Sequence, residues 1–353
     1  MSDRQQLADS EPRFFASEED VDATGQPSAP APRRRRVRRI ALIVLLVLAL
    51  LAGGGVLAGG LYYRSVNSSI DRVDAFTGVP EESRPQVVAK GAMNIMILGS
   101  DSRDPESTGG SRTDTLILAH LPKDRSSAQL ISIPRDTWTH VPRDQGRGGR
   151  DAKINAAYAW GGVPLMVQTV EKFTGVRVDH VAMVDFAGFK EIVDALGGID
   201  VDVEKSFTSI HPPFRTFSPG RQRMDGEAAL DYSRQRKQFA DGDFARIRHQ
   251  QQVIRAILDK AASGGVLANP GKLNSFVKAT SNAVAVDKSL SLLDLAMELR
   301  GLRSGNLVFV TCPVTGTGRV GTESVVFADK AKAKTLFDAV RRDSVPDIVA
   351  AGK

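Results

Sequence analysis

The runs MNIMILGSD at residues 93–101 and TLILAHL at residues 115–121 decide the fold of this chain. Each is a short apolar stretch bounded by polar residues, which is the pattern of a buried β-strand. A third apolar run, at residues 130–133, follows the turn-like residues 122–127 and is stopped by Pro134. Because that turn is short, the second and third strands are predicted to be antiparallel neighbours.

Helical and strand patterns alternate along the rest of the chain. This mixture predicts an α/β fold, with a mixed central β-sheet that has antiparallel portions and is flanked by helices. Asn155 and Asp243 are predicted to cap helix N-termini, and Gly175 is predicted to be a C-cap. The further predicted strands are at 181–184, 199–203 and 307–311, and the predicted helices are at 162–173, 186–196, 243–263, 291–302 and 328–340.

The first 39 residues are predicted to form a disordered cytoplasmic tail. Residues 1–32 hold seven acidic and two basic residues and few large apolar ones, so they cannot bury enough apolar surface to fold. Six arginines lie within residues 33–39, and the 24 residues at 40–63 carry no charge. At about 1.5 Å per residue the uncharged stretch measures roughly 36 Å, which is enough to cross a ~30 Å hydrocarbon core.

We therefore predict one transmembrane helix at 40–63, a signal-anchor whose N-terminus lies in the cytoplasm because the arginines precede it. A cleaved signal peptide is the alternative, although its apolar region usually has only about 7–15 residues. The exported part is predicted to be a stalk at 64–90 and one large folded domain at 91–345. It contains one cysteine, Cys312, and therefore no internal disulfide. Its mild excess of basic residues suits an anionic partner or a membrane surface.

Charged residues adjoin the first three predicted strands at points that share one sheet edge. If the second strand is antiparallel to both neighbours, then the end of the first strand, the start of the second and the end of the third lie together. Carboxylates hold Mg²⁺ and arginine forks bind phosphate, so this combination is suited to a metal-assisted phosphate site. The alternative is a set of weak, solvated ion pairs. The residues concerned are Asp101, Arg103, Arg112, Asp114, Arg135 and Asp136.

A second basic group lies further along the chain. Arg234 and Arg236 share a face if their segment is extended, and Arg246 and Gln250 lie one turn apart on the predicted helix at 243–263. An ordinary basic surface is the alternative, and it is our interpretation of three neighbouring residues, Arg221, Arg248 and Arg255.

No other chemistry has a comparable signature in this chain. There is no GxxxxGK[ST] loop, no HExxH pair and no GxSxG nucleophile motif. The five histidines show no metal-ligand spacing. Nucleic acid is not an expected partner, because the domain is predicted to lie outside the cell.

The motifs between residues 93 and 262 resemble the LytR-CpsA-Psr (LCP) family. Each motif alone is modest, whereas the ordered set is specific. The motifs are NIMILGSDSR at 94–103, RTDT at 112–115, SIPRD at 132–136, KINAAY at 153–158, VDF at 184–186, DALGG at 194–198, YSRQR at 232–236, DFAR at 243–246 and QQ at 250–251.

The resemblance implies a membrane-anchored phosphotransferase of cell wall biogenesis. Such an enzyme moves a glycopolymer from a polyprenyl-pyrophosphate carrier to peptidoglycan and forms a phosphodiester. Asp101 and Asp114 would hold Mg²⁺, with Mn²⁺ as the alternative ion. An apolar groove between sheet and helices would take the lipid tail. The catalytic residues would be Asp101, Asp114, Arg112 and Arg135, and the residues binding pyrophosphate would be Arg103, Arg112, Arg135, Arg234, Arg236, Arg246 and Gln250.

The chain departs from the family pattern at two positions and leaves two other functions open. His249 stands where many relatives have arginine, which puts one phosphate contact in doubt, and Ala245 stands where glycine is usual. The family's optional additional C-terminal domain is expected to be absent. The alternative functions are a polyprenyl-pyrophosphate phosphatase, with water as the acceptor, and a non-enzymatic envelope regulator that binds lipid-linked glycans. The sequence does not distinguish arabinogalactan, teichoic acid and capsule as the glycopolymer.

Overall fold

The computed structural model describes residues 60, 63–65, 67–101, 113–142, 149–299 and 302–345. Apart from Gly60 they belong to one contact unit, Tyr62–Lys353. None of the helices in these ranges is both long enough and apolar enough to cross a membrane. The predicted tail and nearly all of the predicted transmembrane helix lie outside the described residues, and so do Arg103 and Arg112.

Strands and helices alternate in the described part of the chain. The strands are β1 (Asp71–Val73), β2 (Met93–Ser100), β3 (Thr113–Leu121), β4 (Ala128–Ser132), β5 (Trp138–Val141), β6 (Arg150–Lys153), β7 (His180–Asp185), β8 (Ile199–Val203), β9 (Phe207–Thr208), β10 (Thr216–Phe217), β11 (Gly220–Met224), β12 (Val284–Asp287), β13 (Leu307–Thr311), β14 (Val314–Val320) and β15 (Glu323–Ala328). The helices are α1 (Ala156–Thr174), α2 (Phe186–Ala195), α3 (Gly226–Arg234), α4 (Asp243–Ala261), α5 (Gly264–Leu267), α6 (Pro270–Ala283), α7 (Leu292–Glu298) and α8 (Lys330–Arg341).

A seven-stranded mixed sheet with the order β1-β12-β7-β2-β3-β4-β13 forms the centre of the domain. β3 is antiparallel to both β2 and β4, as the sequence predicts. β7 and β13 add parallel pairs on either side of this group. The α/β fold with a mixed, helix-flanked sheet is therefore confirmed.

Alternate side chains of the central strands pack into two different cores. Met96 and Leu98 of β2 lie in the core that α1 and α8 cover. Ile95 faces the other way, towards Ile254 of α4 and Leu295 of α7. Both faces of the sheet are thus buried, which explains why its strands are continuous apolar runs and do not alternate.

The boundary signals in the sequence are confirmed at Gly175, confirmed for position at the N-cap residue Asn155, and wrong at Asp243. Gly175 is the left-handed C-cap of α1, with φ 67°. Asn155 precedes α1, but its side chain makes no capping hydrogen bond. Gly242 caps α4, so Asp243 is the first helical residue and not the N-cap. The carboxylate of Asp243 is consequently available for contacts other than its own helix end.

The predicted stalk at 64–90 is only partly a separate segment. β1 lies within it and pairs in parallel with β12 at the edge of the central sheet. Ile70, Val73 and Ala75 are buried. The folded domain therefore begins about twenty residues before position 91, because these apolar side chains complete the core. β8, predicted as a strand, lies outside the central sheet and pairs with β11.

Candidate active site

The strand ends that the sequence places at one sheet edge do meet there. Ser100, the last residue of β2, is paired with Thr113, the first residue of β3. Ser132, the last residue of β4, is paired with Ile117 of β3. Asp101, Asp114 and Arg135 are thereby brought to the same edge of the sheet, as predicted.

Arg135 lies at the centre of this edge and is largely buried. Its Nη1 donates a hydrogen bond to Oδ1 of Asp114. Its Nε lies 3.9 Å from Oδ1 of Asp243 and 3.9 Å from Oδ2 of Asp136. One guanidinium therefore lies among carboxylates from β3, from its own loop and from α4.

Helix α4 contributes the second buried arginine. Arg246 is 4% exposed and donates from Nη2 to Oδ2 of Asp243 at 2.9 Å. Its Nη1 lies 4.0 Å from Oδ1 of Asp114. Asp114 and Asp243 thus each lie within 4.0 Å of both Arg135 and Arg246.

Two more cations complete what we call the arginine–aspartate cluster. Arg236 lies 3.8 Å from Oδ1 of Asp243, and Lys153 lies 3.5 Å from Oδ1 of Asp136. Among the described residues the cluster has four cations and three carboxylates, and a further carboxylate, Glu323, lies 3.7 Å from Nζ of Lys153, so the charges balance. Its members are Asp114, Arg135, Asp136, Lys153, Arg236, Asp243 and Arg246.

Burial destabilises the positive charges of Arg135 and Arg246, and a bound anion would stabilise them. Burial, together with the charge of Arg246, lowers the pKa of Arg135 to about 10, and burial also lowers the pKa of Arg246. Both remain charged near neutral pH. The Nε of each is buried without a hydrogen-bond partner in the described part of the chain. Unpaired buried donors on charged groups are costly, so the site is suited to a ligand with several anionic oxygens.

The carboxylates at this edge fit a hard divalent cation only together with a phosphate ligand. The described residues contain no group of three or more His, Cys, Asp or Glu side chains arranged to hold a metal. Asp101 is exposed just after β2, and Asp114 accepts from Arg135 through one oxygen. Mg²⁺ commonly takes one or two protein carboxylates and fills its other positions with phosphate oxygens and water. Two carboxylates on neighbouring strands are compatible with that donor set.

Two residues of the predicted site, Arg234 and Gln250, are not members of the arginine–aspartate cluster. The guanidinium of Arg234 lies over the ring of Phe186, 4.7 Å from its centroid. Gln250 is half-buried, and its predicted role stays a prediction. The neighbouring Gln251 instead reaches the sheet, donating to Oγ of Ser132 at 3.1 Å.

The role predicted for Asp243 is wrong. Its position in the sequence predicts a helix N-cap, but in the structure its carboxylate contacts Arg246 and lies close to Arg135 and Arg236. The signal that could have found it is its spacing from Arg246, since residues i and i+3 share one helix face.

His249 does not replace a phosphate-binding arginine in this chain. It is 5% exposed, and its ring lies 4.4 Å from that of Tyr232 and 4.9 Å from that of Phe239. It also stacks on Phe207. Burial, with the nearby charge of Arg248, lowers the pKa of His249 to about 4. The side chain is therefore a neutral core residue.

Stability is expected to fall as the pH drops from about 6.5 to about 4 because of His249. In this window the unfolded chain binds a proton at His249 and the folded chain does not, so protonation favours unfolding. The expected loss of unfolding free energy at pH 4 is about 3 kcal/mol. A His249→Phe variant should show a flatter profile of unfolding free energy against pH, measured by urea denaturation. Parallel profiles for the two proteins would contradict the assignment.

The fold and the cluster define an α/β protein with a buried cluster of arginines and aspartates at one edge of its central sheet. The chain belongs to the LytR_cpsA_psr family, whose sequence model matches residues 62–342. This finding confirms the family resemblance that the ordered motifs indicate.

Several relatives show the same relationship. The chain is 31% identical over 306 residues to the cell wall biosynthesis protein LcpA of Corynebacterium glutamicum, covering 73% of this chain and 57% of the relative. It is 37% identical over 224 residues to TagU of Bacillus mycoides, a polyisoprenyl-teichoic acid–peptidoglycan teichoic acid transferase, covering 61% of this chain and 70% of the relative. The chain thus spans somewhat over half the length of LcpA.

Solved structures share the fold. The crystal structure of TagV from B. subtilis aligns with a TM-score of 0.62 at 29% identity, covering 72% of this chain and 98% of that one. A structure of TagT bound to LI-WTA aligns with a TM-score of 0.56 at 25% identity, covering 72% of this chain and 91% of that one.

Proposed function

We propose that this protein transfers a glycopolymer from a polyprenyl-pyrophosphate carrier to peptidoglycan and forms a phosphodiester link. The observation that carries the proposal is the buried pair Arg135 and Arg246, whose Nε atoms have no hydrogen-bond partner among the described residues. The names of related proteins agree with this proposal, since TagU is named a polyisoprenyl-teichoic acid–peptidoglycan teichoic acid transferase.

The buried cations of the cluster suit a pyrophosphate diester. Such a group carries about two negative charges, and each contact with a cation at ~4 Å is worth roughly 4 kcal/mol before desolvation at an effective dielectric of about 20. The buried guanidiniums of Arg135 and Arg246 are positioned to bind its oxygens, and Arg236 and Lys153 lie at the edge of the same cluster. Arg103 and Arg112, outside the described residues, are proposed to add further contacts.

The reaction exchanges one phosphorus–oxygen bond for another. The acceptor hydroxyl of peptidoglycan attacks the phosphorus nearest the sugar, the bond to the second phosphate breaks, and polyprenyl phosphate leaves. Asp101 or Asp114 takes up the hydroxyl proton. The arginines stabilise the negative charge that develops on the leaving phosphate, and Asp114 and Asp243 keep those arginines oriented before substrate binds.

Asp101 and Asp114 are the residues proposed to hold Mg²⁺, or Mn²⁺ in its place. When bound, the cation would neutralise charge on the phosphate oxygens. We also propose that residues 40–63 anchor the chain in the cell membrane, with the domain outside the cytoplasm. That location would place the cluster on the side of the bilayer where a lipid-linked glycan is displayed.

The proposal is tested by product analysis with the purified full-length chain. A polyprenyl-pyrophosphate-linked glycan is supplied with and without peptidoglycan fragments. We expect release of polyprenyl phosphate to depend on the acceptor and to yield a glycan–peptidoglycan phosphodiester. Equal release in both reactions, with a free glycan phosphate as product, would favour the phosphatase. Full complementation of a deletion strain by an inactive Asp114→Asn variant would favour the regulator.

A further inference from the structure

A short hairpin with an apolar tip projects next to the cluster. β9 and β10 pair with each other, Thr208 with Thr216 and Phe207 with Phe217. We refer to the connecting residues, 209–215, as the hairpin tip. Its sequence is SIHPPFR. The transfer reaction proposed above does not use these residues.

Buried hydrogen bonds fix the hairpin tip to the segment that carries Arg236. Oγ of Ser209 donates to Oδ1 of Asp231 at 2.6 Å, and Nε2 of Gln235 donates to Oγ of Ser209 at 2.8 Å. Ser209, Asp231 and Gln235 are all buried. Because Gln235 directly precedes Arg236, these hydrogen bonds tie the tip to the segment that leads into the arginine–aspartate cluster.

The outer side chains of the hairpin tip are apolar and exposed. Phe214 is 59% exposed and Ile210 is 40% exposed, and Pro212 and Pro213 are exposed between them. Phe214 also has a φ of 59°, a left-handed conformation that a bulky side chain rarely adopts. A strained backbone and an exposed aromatic ring both cost stability, so we attribute them to a function of the tip.

The chain around the hairpin tip is positively charged. Arg215 lies in the tip, and the pKa of His211, another tip residue, is lowered by burial and by the nearby charges of Arg234 and Lys237. Lys237, on the segment to which the tip is tied, is also exposed. An apolar tip with cations beside it complements a bilayer surface that contains anionic lipids.

We propose that the hairpin tip is a membrane-docking element, which inserts Phe214 and Ile210 into the headgroup region of an anionic bilayer. Contact with the bilayer buries the apolar side chains, and the flanking basic residues contact lipid phosphates. A glycan is a less suitable occupant, because the exposed side chains of Ile210, Pro212, Pro213 and Phe214 offer no hydrogen-bonding groups to sugar hydroxyls. The inference does not depend on the transfer reaction, since lipid contact is measured without substrate.

The test places a fluorescent reporter on the tip of the full-length chain. Cys312 is the one cysteine, and burial raises the pKa of its thiol to about 12, so an introduced cysteine can be labelled selectively. Phe214→Cys carries the dye NBD, and the protein is reconstituted in vesicles of phosphatidylcholine and phosphatidylglycerol. The matched control is Val87→Cys, because Val87 is 57% exposed and lies near Asn94, at the opposite end of β2.

We expect blue-shifted NBD emission at position 214 and quenching on the order of twofold by lipids spin-labelled near the headgroup. We expect neither effect at position 87. Adding Ile210→Asp to the Phe214→Cys chain should reduce the quenching, because it replaces an inserting apolar side chain by a charged one. The hydrogen bond from Ile210 to Gln235 is made by the backbone N–H and does not need the side chain. Equal quenching at 214 and 87, or none at 214, would overturn the proposal. A response at 214 to peptidoglycan fragments but not to vesicles would overturn it in favour of a glycan platform.

Discussion

Replacing Arg135 with alanine is expected to lower the rate of glycopolymer transfer by about 10²–10³-fold. Arg135 contacts Asp114 and lies close to Asp243 and Asp136, so its loss removes the central cation of the cluster. The effect should fall mainly on kcat, because the charge that Arg135 meets grows as the leaving phosphate separates. Release of polyprenyl phosphate by the purified variant is the measurement.

Two variants show whether the position or only the charge of Arg135 matters. Arg135→Lys keeps a cation but loses the planar fork, and should recover little of the rate. Arg248→Ala is the control, because Arg248 is exposed on the same helix as Arg246 and pairs with Asp241. It should leave the rate near that of the unsubstituted protein. An Arg135→Ala protein with an unchanged rate would contradict the site assignment.

Replacing Glu171 with alanine is expected to cost about 3–5 kcal/mol of unfolding free energy. Glu171 of α1 is 3% exposed and accepts from Arg84, with Nη2 of Arg84 at 2.8 Å. It also accepts from the backbone N–H of Val178. The substitution therefore leaves a buried guanidinium and a buried amide without this partner. Urea denaturation measures the change.

An exposed ion pair provides the comparison. Lys190 and Glu227 lie 2.7 Å apart, but Glu227 is 62% exposed, so Glu227→Ala should change stability by about 0–1 kcal/mol. The double variant Arg84→Met with Glu171→Leu should regain much of the loss, since it removes both buried charges. Equal effects of Glu171→Ala and Glu227→Ala would show that burial does not govern the Arg84 pair.

The strands that frame the cluster could be predicted because local pattern alone determines them. β2, β3 and β4 are apolar runs separated by a turn, and their antiparallel order follows from the short connection. The convergence of Asp101, Asp114 and Arg135 then follows from geometry. Spacing alone grouped Arg236 and Arg246 separately, and only the family resemblance assigned them to the same site as Arg135.

Other parts of the fold depend on contacts that the local sequence does not encode. β1 has three residues, of which one is fully buried, so its place in the sheet comes only from pairing with β12. β12 itself follows α6 without an intervening turn, so no turn residues mark the change from the helical to the strand pattern of apolar residues. Asp243 was misinterpreted for the same reason, because its arginine partners Arg135 and Arg236 lie outside its own helix.

The pairing of the sheet's outer strands also determines when the domain can finish folding. Residues 71–73 of β1 pair with residues 285–287, and β4 pairs with residues 307–311 of β13. β1 and β4 therefore cannot form these pairs until partners about 180–215 residues further along the chain are present. Contacts this distant in sequence make folding slow. If the part of the chain that follows residues 40–63 crosses the membrane in sequence order, the central strands emerge long before their edges are covered, and they need protection from aggregation until the last third of the chain arrives.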